Sequence, residues 1–207
     1  MKRCLLLLAV CLLPTACTIG GRKAPPADIY DFGMPVERLP AANNWAGVAL
    51  EIQAPHWFDS LAIEYRLPYD DPLRLRAYSG SRWAGAPAAL LAQRLRQQLG
   101  VAGNRGQTAT RCLLRFELQE FSQVFLSAQE SRGVLQGQAN LLDPAHRIVG
   151  SRTFHSDRPA ATADARGGVA ALVAAADDLG RALAAWLSEE EKRGTLRSCQ
   201  SASADYR

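Results

Sequence analysis

The sequence predicts an α/β domain, a mixed β-sheet of about five to six strands packed by two main helices. Two stretches, Pro87–Leu99 and residues 168–192, repeat apolar side chains every three or four positions, the period of a helix with one buried face. Several shorter stretches alternate apolar and polar residues, the period of a strand with one buried face.

Residues 29–32 are expected as a short first strand, followed by a loop over 35–44. Val48, Leu50 and Ile52 then alternate with Ala49, Glu51 and Gln53, and Pro55-His56-Trp57-Phe58-Asp59 follows as a loop. Residues 61–66 and 73–78 read as strands joined by the turn Pro68-Tyr69-Asp70-Asp71-Pro72, hence a hairpin. On its second strand Leu73, Leu75 and Ala77 share one face, and Arg74, Arg76 and Tyr78 share the other. Pro87 suits the first position of a helix and Gly100 the position just past its end, with Leu91, Leu95 and Leu99 as the apolar stripe.

Residues 111–121 alternate cleanly. Cys112, Leu114, Phe116 and Leu118 fall on one face, which points Cys112 into the core. Residues 134–142 and 147–155 are strands about the turn Asp143-Pro144-Ala145-His146. The long last helix carries Val169, Leu172, Val173, Ala176, Leu179, Leu183, Trp186 and Leu187 as its stripe, and Gly194 stops it.

The chain opens with basic Met1-Lys2-Arg3, an apolar run over 4–13, and Pro14-Thr15-Ala16 before Cys17, the layout of a secretory signal peptide. The apolar run is shorter than the roughly 20 residues a spanning helix needs. A cysteine straight after the small residues resembles the lipobox of bacterial lipoproteins, with Pro14 standing where a branched apolar residue is usual. In that class Cys17 becomes the first mature residue and carries covalent diacylglycerol and a further acyl chain, and more than one chain anchors firmly. Thr18, in place of Asp, resembles the outer-membrane-sorted type. The expected organisation is a signal peptide over 1–16, lipidated cysteine and flexible tether over 17–27, one domain over 28–200 and a tail over 201–207.

Lys and Arg number 24 against 20 Asp and Glu, a net +4 that falls near +2 once Lys2 and Arg3 leave. That balance points away from nucleic acid, which calls for a basic stripe. Cys112 and Cys199 are the cysteines left after the leader and the anchor. An even pair in an exported chain suggests a disulfide, two buried free thiols being the alternative. Two cysteines and three scattered histidines lack the spacing of a metal site, and no other cofactor is expected.

No motif carries a catalytic mechanism. Asp70 and Asp71 are adjacent in a turn, where carboxylates cap backbone or meet solvent, and His56, His146 and His155 lie in separate segments. Ser79-Gly80-Ser81 lacks the surroundings of a nucleophile elbow, and Gly103-Asn104-Arg105-Gly106 the lysine and length of a phosphate loop. A hydrolase would have to draw on Asp59, Asp71 or His146.

One region carries a resemblance. His56-Trp57-Phe58-Asp59-Ser60, Ile63-Glu64-Tyr65-Arg66, Leu75-Arg76-Ala77-Tyr78-Ser79-Gly80-Ser81-Arg82-Trp83, Pro87 and Leu90-Leu91-Ala92-Gln93-Arg94-Leu95 occur in that order. They resemble the ABC-type transport auxiliary lipoprotein family, that of paraquat-inducible protein C. The resemblance implies a fold like the amino-terminal domain of TolB and no enzymatic activity. It implies an MCE-domain protein as partner and, through it, an inner-membrane permease and ATPase. The place implied is the periplasmic face of the outer membrane, where such a chain docks a phospholipid conduit, as a homo-oligomer on a symmetric MCE ring.

Candidate contacts for partner or lipid are Trp57, Phe58, Arg76, Tyr78, Arg82 and Trp83, since Trp, Tyr and Arg anchor interfaces. Four of the six have a structural reading beside the functional one. Trp83 caps the core between strand and helix, Trp57 and Phe58 plug the sheet edge, and Arg74 and Arg76 stand on a solvated strand face. The functional alternative to transport is an envelope-structural or assembly lipoprotein that binds cell wall or outer-membrane machinery.

Overall fold

A computed structural model of the chain describes residues 26–35, 39, 45, 47–101 and 111–199. The expected signal peptide, Cys17, most of the tether and the tail over 201–207 lie outside the described residues.

Among the described residues, seven strands and two α-helices alternate unevenly. They are β1 (Asp28–Tyr30), β2 (Val48–Gln53), β3 (Ala62–Leu67), β4 (Asp71–Trp83), α1 (Pro87–Leu99), β5 (Cys112–Phe125), β6 (Ser131–Leu142), β7 (Ile148–Pro159) and α2 (Ala165–Lys192). Short 3-10 turns occupy His56–Asp59, where the sequence suggests a loop, and Thr195–Cys199. The strands form one mixed sheet in the order β1-β4-β3-β5-β6-β7, with β2 also paired to β5. Hairpins make β3–β4, β5–β6 and β6–β7 antiparallel, whereas β1–β4, β2–β5 and β3–β5 are parallel. The sheet thus has one to two strands more than the expected count, because both short strands before β3 join it.

Both helices lie on one face of the sheet. α2 packs across β5, β6 and β7, and α1 packs on β2 and on α2. The core is the layer between them. Val48 and Leu50 of β2, Leu114, Phe116 and Leu118 of β5, and Leu135, Ala139 and Leu141 of β6 meet Leu91, Leu95 and Leu99 of α1 and Leu172, Ala176, Leu179, Leu183, Trp186 and Leu187 of α2. These are the stripes that the two periods predict. Close approach of α2 depends on Gly133, where a Cβ would stand 2.5 Å from the Leu172 backbone nitrogen.

Strand β5 changes face midway. A register shift between Leu118 and Glu120 leaves Gln119 exposed and brings Phe121, Gln123 and Phe125 inward. β2 pairs with β5 before this bulge, and β3 pairs with it at Gln123 and Val124 after it. The helix ends have local causes. Asp164 caps α2 by accepting from the Gly167 N–H, and Gly100 ends α1 at φ 65°, donating its N–H to the Arg96 carbonyl.

Cys112, at the start of β5, and Cys199, in the last 3-10 turn, are joined by a disulfide, and both are buried. It ties the segment after α2 onto the central strand. With the partners 87 positions apart in sequence, loop-closure entropy assigns it about 4 to 5 kcal/mol. Cys199→Ser is expected to lower the stability measured by urea unfolding by about that amount. A loss below about 1 kcal/mol would show that the packing of Leu196 alone holds this segment.

Candidate interaction surface

The hairpin β3–β4 stands at the margin of the sheet. Its helix-side face is a polar-aromatic cluster. The Tyr65 ring lies 4.7 Å from Tyr78 and 5.7 Å from Phe125, centroid to centroid. The Tyr78 hydroxyl donates to Gln123 Oε1 at 2.9 Å, and Gln123 Nε2 donates to Ser131 Oγ at 2.7 Å. Burial, then the neighbouring Tyr65 and Asp164, pushes the Tyr78 phenol up to about 12. Arg76 is partly buried and pairs with Asp70 in the hairpin turn. The two faces therefore do not divide as a hydrophobic pattern suggests. Leu73, Leu75 and Ala77 are exposed, Leu73 at 90 %, whereas Arg76 and Tyr78 are the half-buried side. Arg76 is a bonded group rather than one on a freely solvated face.

Two of the six sequence candidates leave the surface altogether. Trp83 is 1 % exposed and packs its ring against Phe32 and Phe121 at 5.4 and 5.8 Å. Phe58 is 5 % exposed. Both belong to the core, so neither is free to touch a partner. Trp57 is 67 % exposed and Arg82 is exposed as well. Arg82 stands in register between Ile29 of β1 and Ala62 of β3, and the Trp83 N–H donates to the Leu61 carbonyl. Exposed Ile29 and Leu61 thus border Arg82 at the end of the sheet where β1 enters. A second exposed apolar group lies at the opposite end. The parallel register of Arg66 with Val124 brings the turn carrying Tyr69 beside the turn carrying Leu126, with Leu73 next to them.

The residues a hydrolase would need are apart. Asp59 pairs with His56 in an exposed 3-10 turn, Asp71 accepts from the Leu73 N–H, and His146 sits in the β6–β7 turn at φ 62°. The carboxylates with displaced proton affinity have structural causes. Burial and nearby Glu120 raise Glu64, against the lowering effect of Arg66. The Arg147 backbone N–H and side chain hold Asp143 below the usual carboxylate range. Among the described residues, no three His, Cys, Asp or Glu side chains gather as metal ligands would. No helix among them is long and apolar enough to cross a membrane.

Two charged groups matter that the sequence does not single out. Arg94, on the inner side of α1 and 3 % exposed, makes paired bonds to Asp177 of α2 at 2.6 and 2.8 Å. It also donates to the carbonyls of Phe32 and Gly33, and Gln98 donates to the same Asp177. This clamp holds the segment after β1 against both helices. The second group is on β7 and α2, where Asp178 accepts from Ser156, Arg158 and Arg181. Position offers the available hint, since Arg94 sits directly beside Leu91 and Leu95 in the apolar stripe, where a solvated arginine does not belong.

The model of the ABC-type transport auxiliary lipoprotein components matches residues 35–184. The chain belongs to this family. A crystal structure of a Xanthomonas campestris protein of the DUF330 family superposes on this auxiliary component with a TM-score of 0.69 at 22 % identity, covering 82 % of this chain and 99 % of that one. An uncharacterized protein superposes with a TM-score of 0.60 at 14 % identity, covering 78 % and 99 % respectively. At those identities both show the mixed α/β fold. No curated protein matches.

Two measurements follow from the geometry. Asp177→Ala strands the buried Arg94 charge and is expected to cost about 3 kcal/mol in urea unfolding, because a buried ion left unpaired is expensive. Asp157→Ala, at the more exposed pair with Arg132, should cost under about 1 kcal/mol. Equal losses would contradict the clamp. In an alkaline absorbance titration, Tyr78 is expected to ionise near 12. An acid whose folded value is raised contributes stability below its unfolded value, near 10, and loses it as pH climbs towards 12. Tyr78→Phe should remove both the late ionisation and that alkaline loss.

Proposed function

We propose that this chain is a lipid-anchored, non-catalytic auxiliary component of an MCE-type transport system, docking the lipid conduit at the periplasmic face of the outer membrane. The family match over residues 35–184 carries the reading. The cysteine after Pro14-Thr15-Ala16 supports it, since diacylglycerol and an acyl chain on Cys17 would tether the domain to the membrane. The proposed direct partner is an MCE-domain protein, with its permease and ATPase reached indirectly and several copies of the chain around one conduit.

The geometry supports docking through an end of the sheet. Trp57 and Arg82 are exposed anchors of the residue types interfaces favour, and they flank the end where β1 enters. Tyr78, bonded to Gln123 of β5, and Arg76, paired with Asp70 in the hairpin turn, are held in place rather than reaching out towards a partner.

The test is capture from envelope extract by the tagged full chain carrying Cys17→Ser. An MCE-domain protein is expected in the eluate. Trp57→Ala combined with Arg82→Ala should weaken capture by about tenfold, the loss typical of interface anchors, with an unchanged melting temperature. Cell-wall or outer-membrane assembly proteins in place of the MCE protein would select the envelope-structural reading.

A further inference from the structure

A cleft of about 320 Å³ opens between β7 and α2. Buried Leu135, Phe154 and Leu179 lie at its base, exposed Ala182 makes an apolar wall, and its mouth is polar, with Ser156, Arg158 and Asp178. Asp178 accepts from Ser156 Oγ at 3.1 Å, from Arg158 through two nitrogens, and from Arg181. Hydrogen bonds from Arg158 above all hold the Asp178 carboxyl below the usual carboxylate range, so it stays ionised and fixes both guanidiniums.

Two cations share one anion, and the mouth keeps a net positive charge. Neighbouring Asp157 does not cancel it, being engaged by Arg132 at 2.9 Å. A guanidinium carries five N–H donors in a fixed fork. Arg158 uses two on Asp178 and Arg181 uses one, which leaves most of them for a ligand. An apolar floor under a cationic mouth is the complement of an amphiphile with a negative head. The volume lies at the small end of ligand sites, roughly 300 to 1,000 Å³, which suits one acyl chain and not two.

We propose that this cleft binds a single-chain anionic amphiphile, its tail along Phe154 and Ala182 above the buried Leu135 and Leu179, and its head on Arg158 and Arg181. This extends the transport reading from docking a conduit to touching its cargo, and rests on that reading for the biological source of the ligand.

The test is calorimetric titration of the full chain carrying Cys17→Ser, with each probe below its micelle concentration. Dodecyl phosphate and dodecanoate supply the two anionic heads, dodecyl maltoside a neutral one, and inorganic phosphate a head without a tail. Both anionic probes are expected to bind at least about tenfold more tightly than the other two. The tighter of the pair separates a phosphate head from a fatty-acid carboxylate. Arg158→Gln removes a head contact, and Ala182→Met, at an exposed helix position, fills the cleft without touching a charge. Each should lower affinity about tenfold at an unchanged melting temperature. Absence of binding, equal binding of dodecyl maltoside or inorganic phosphate, or wild-type affinity in both variants would overturn the proposal. Capture of an MCE protein with no ligand in the cleft would remove this inference and leave the transport reading standing. A filled cleft without MCE capture would do the reverse.

Discussion

The bulge in β5 is the constraint on which the rest of the molecule depends. Side chains alternate strictly along a strand, so continuing the series Cys112, Leu114, Phe116, Leu118 would turn Glu120 inward and Phe121 out. The extra residue between Leu118 and Glu120 reverses that. Glu120 stays on the bare face, where it accepts from Arg66, and Phe121 enters the core. Phe32 and Trp83 both pack on Phe121, so the segment after β1 and the end of β4 are seated by this one irregularity. It also lets β5 give one edge to β2 first and to β3 afterwards.

What could be read from the sequence is what rests on local period. The stripe of α2 and the alternation of β5 up to Leu118 are fixed by which side chains are apolar, and the structure has both. The strand ends are less legible. β4 runs on to Trp83 because Ser79, Gly80 and Ser81 follow their neighbours without any pattern of their own. The start of α2 is hidden by Gly167 and Gly168, which look like breakers but lie inside the first turn capped by Asp164. Pairings between distant segments are not legible at all. The place of Arg94 in the apolar stripe hints that it is buried, but nothing local names its partner Asp177, 83 residues away. For the same reason the sequence leaves Trp57, Phe58 and Trp83 each with both a contact and a packing reading. An aromatic ring in a loop or a corner has no local mark of burial, and only remote Phe32 and Phe121 decide the case of Trp83.

The two faces of the sheet have divided their work. One is covered by helices over β2, β5, β6 and β7 and by the Tyr65–Tyr78 cluster at the hairpin. The other carries crossed ion pairs between neighbouring strands, Arg66 with Glu120, Arg115 with Glu51 and Arg132 with Asp157. Such pairs contribute little to stability, but they keep a broad flat surface wet. Exposed apolar side chains collect instead at the two ends, around Trp57 and Ile29 and around Tyr69 and Leu73. A family whose members work as auxiliary parts of a transport assembly needs contact area somewhere, and in this chain the ends, rather than the flat face, offer it.

The way β1 is held also gives the domain a mechanical character. Three residue pairs join β1 to β4, Ala84 donates to the Tyr30 carbonyl, and Arg94 grips the Phe32 and Gly33 carbonyls. Tension applied ahead of Asp28 meets the parallel β1–β4 bonds in shear and then the buried guanidinium. The load passes from there into α1 and α2, the elements most deeply anchored in the core. The sheet's central strands and their disulfide stand outside this path. A pull on this end of the domain is thus resisted by β1 and the Arg94 clamp before it reaches the central strands.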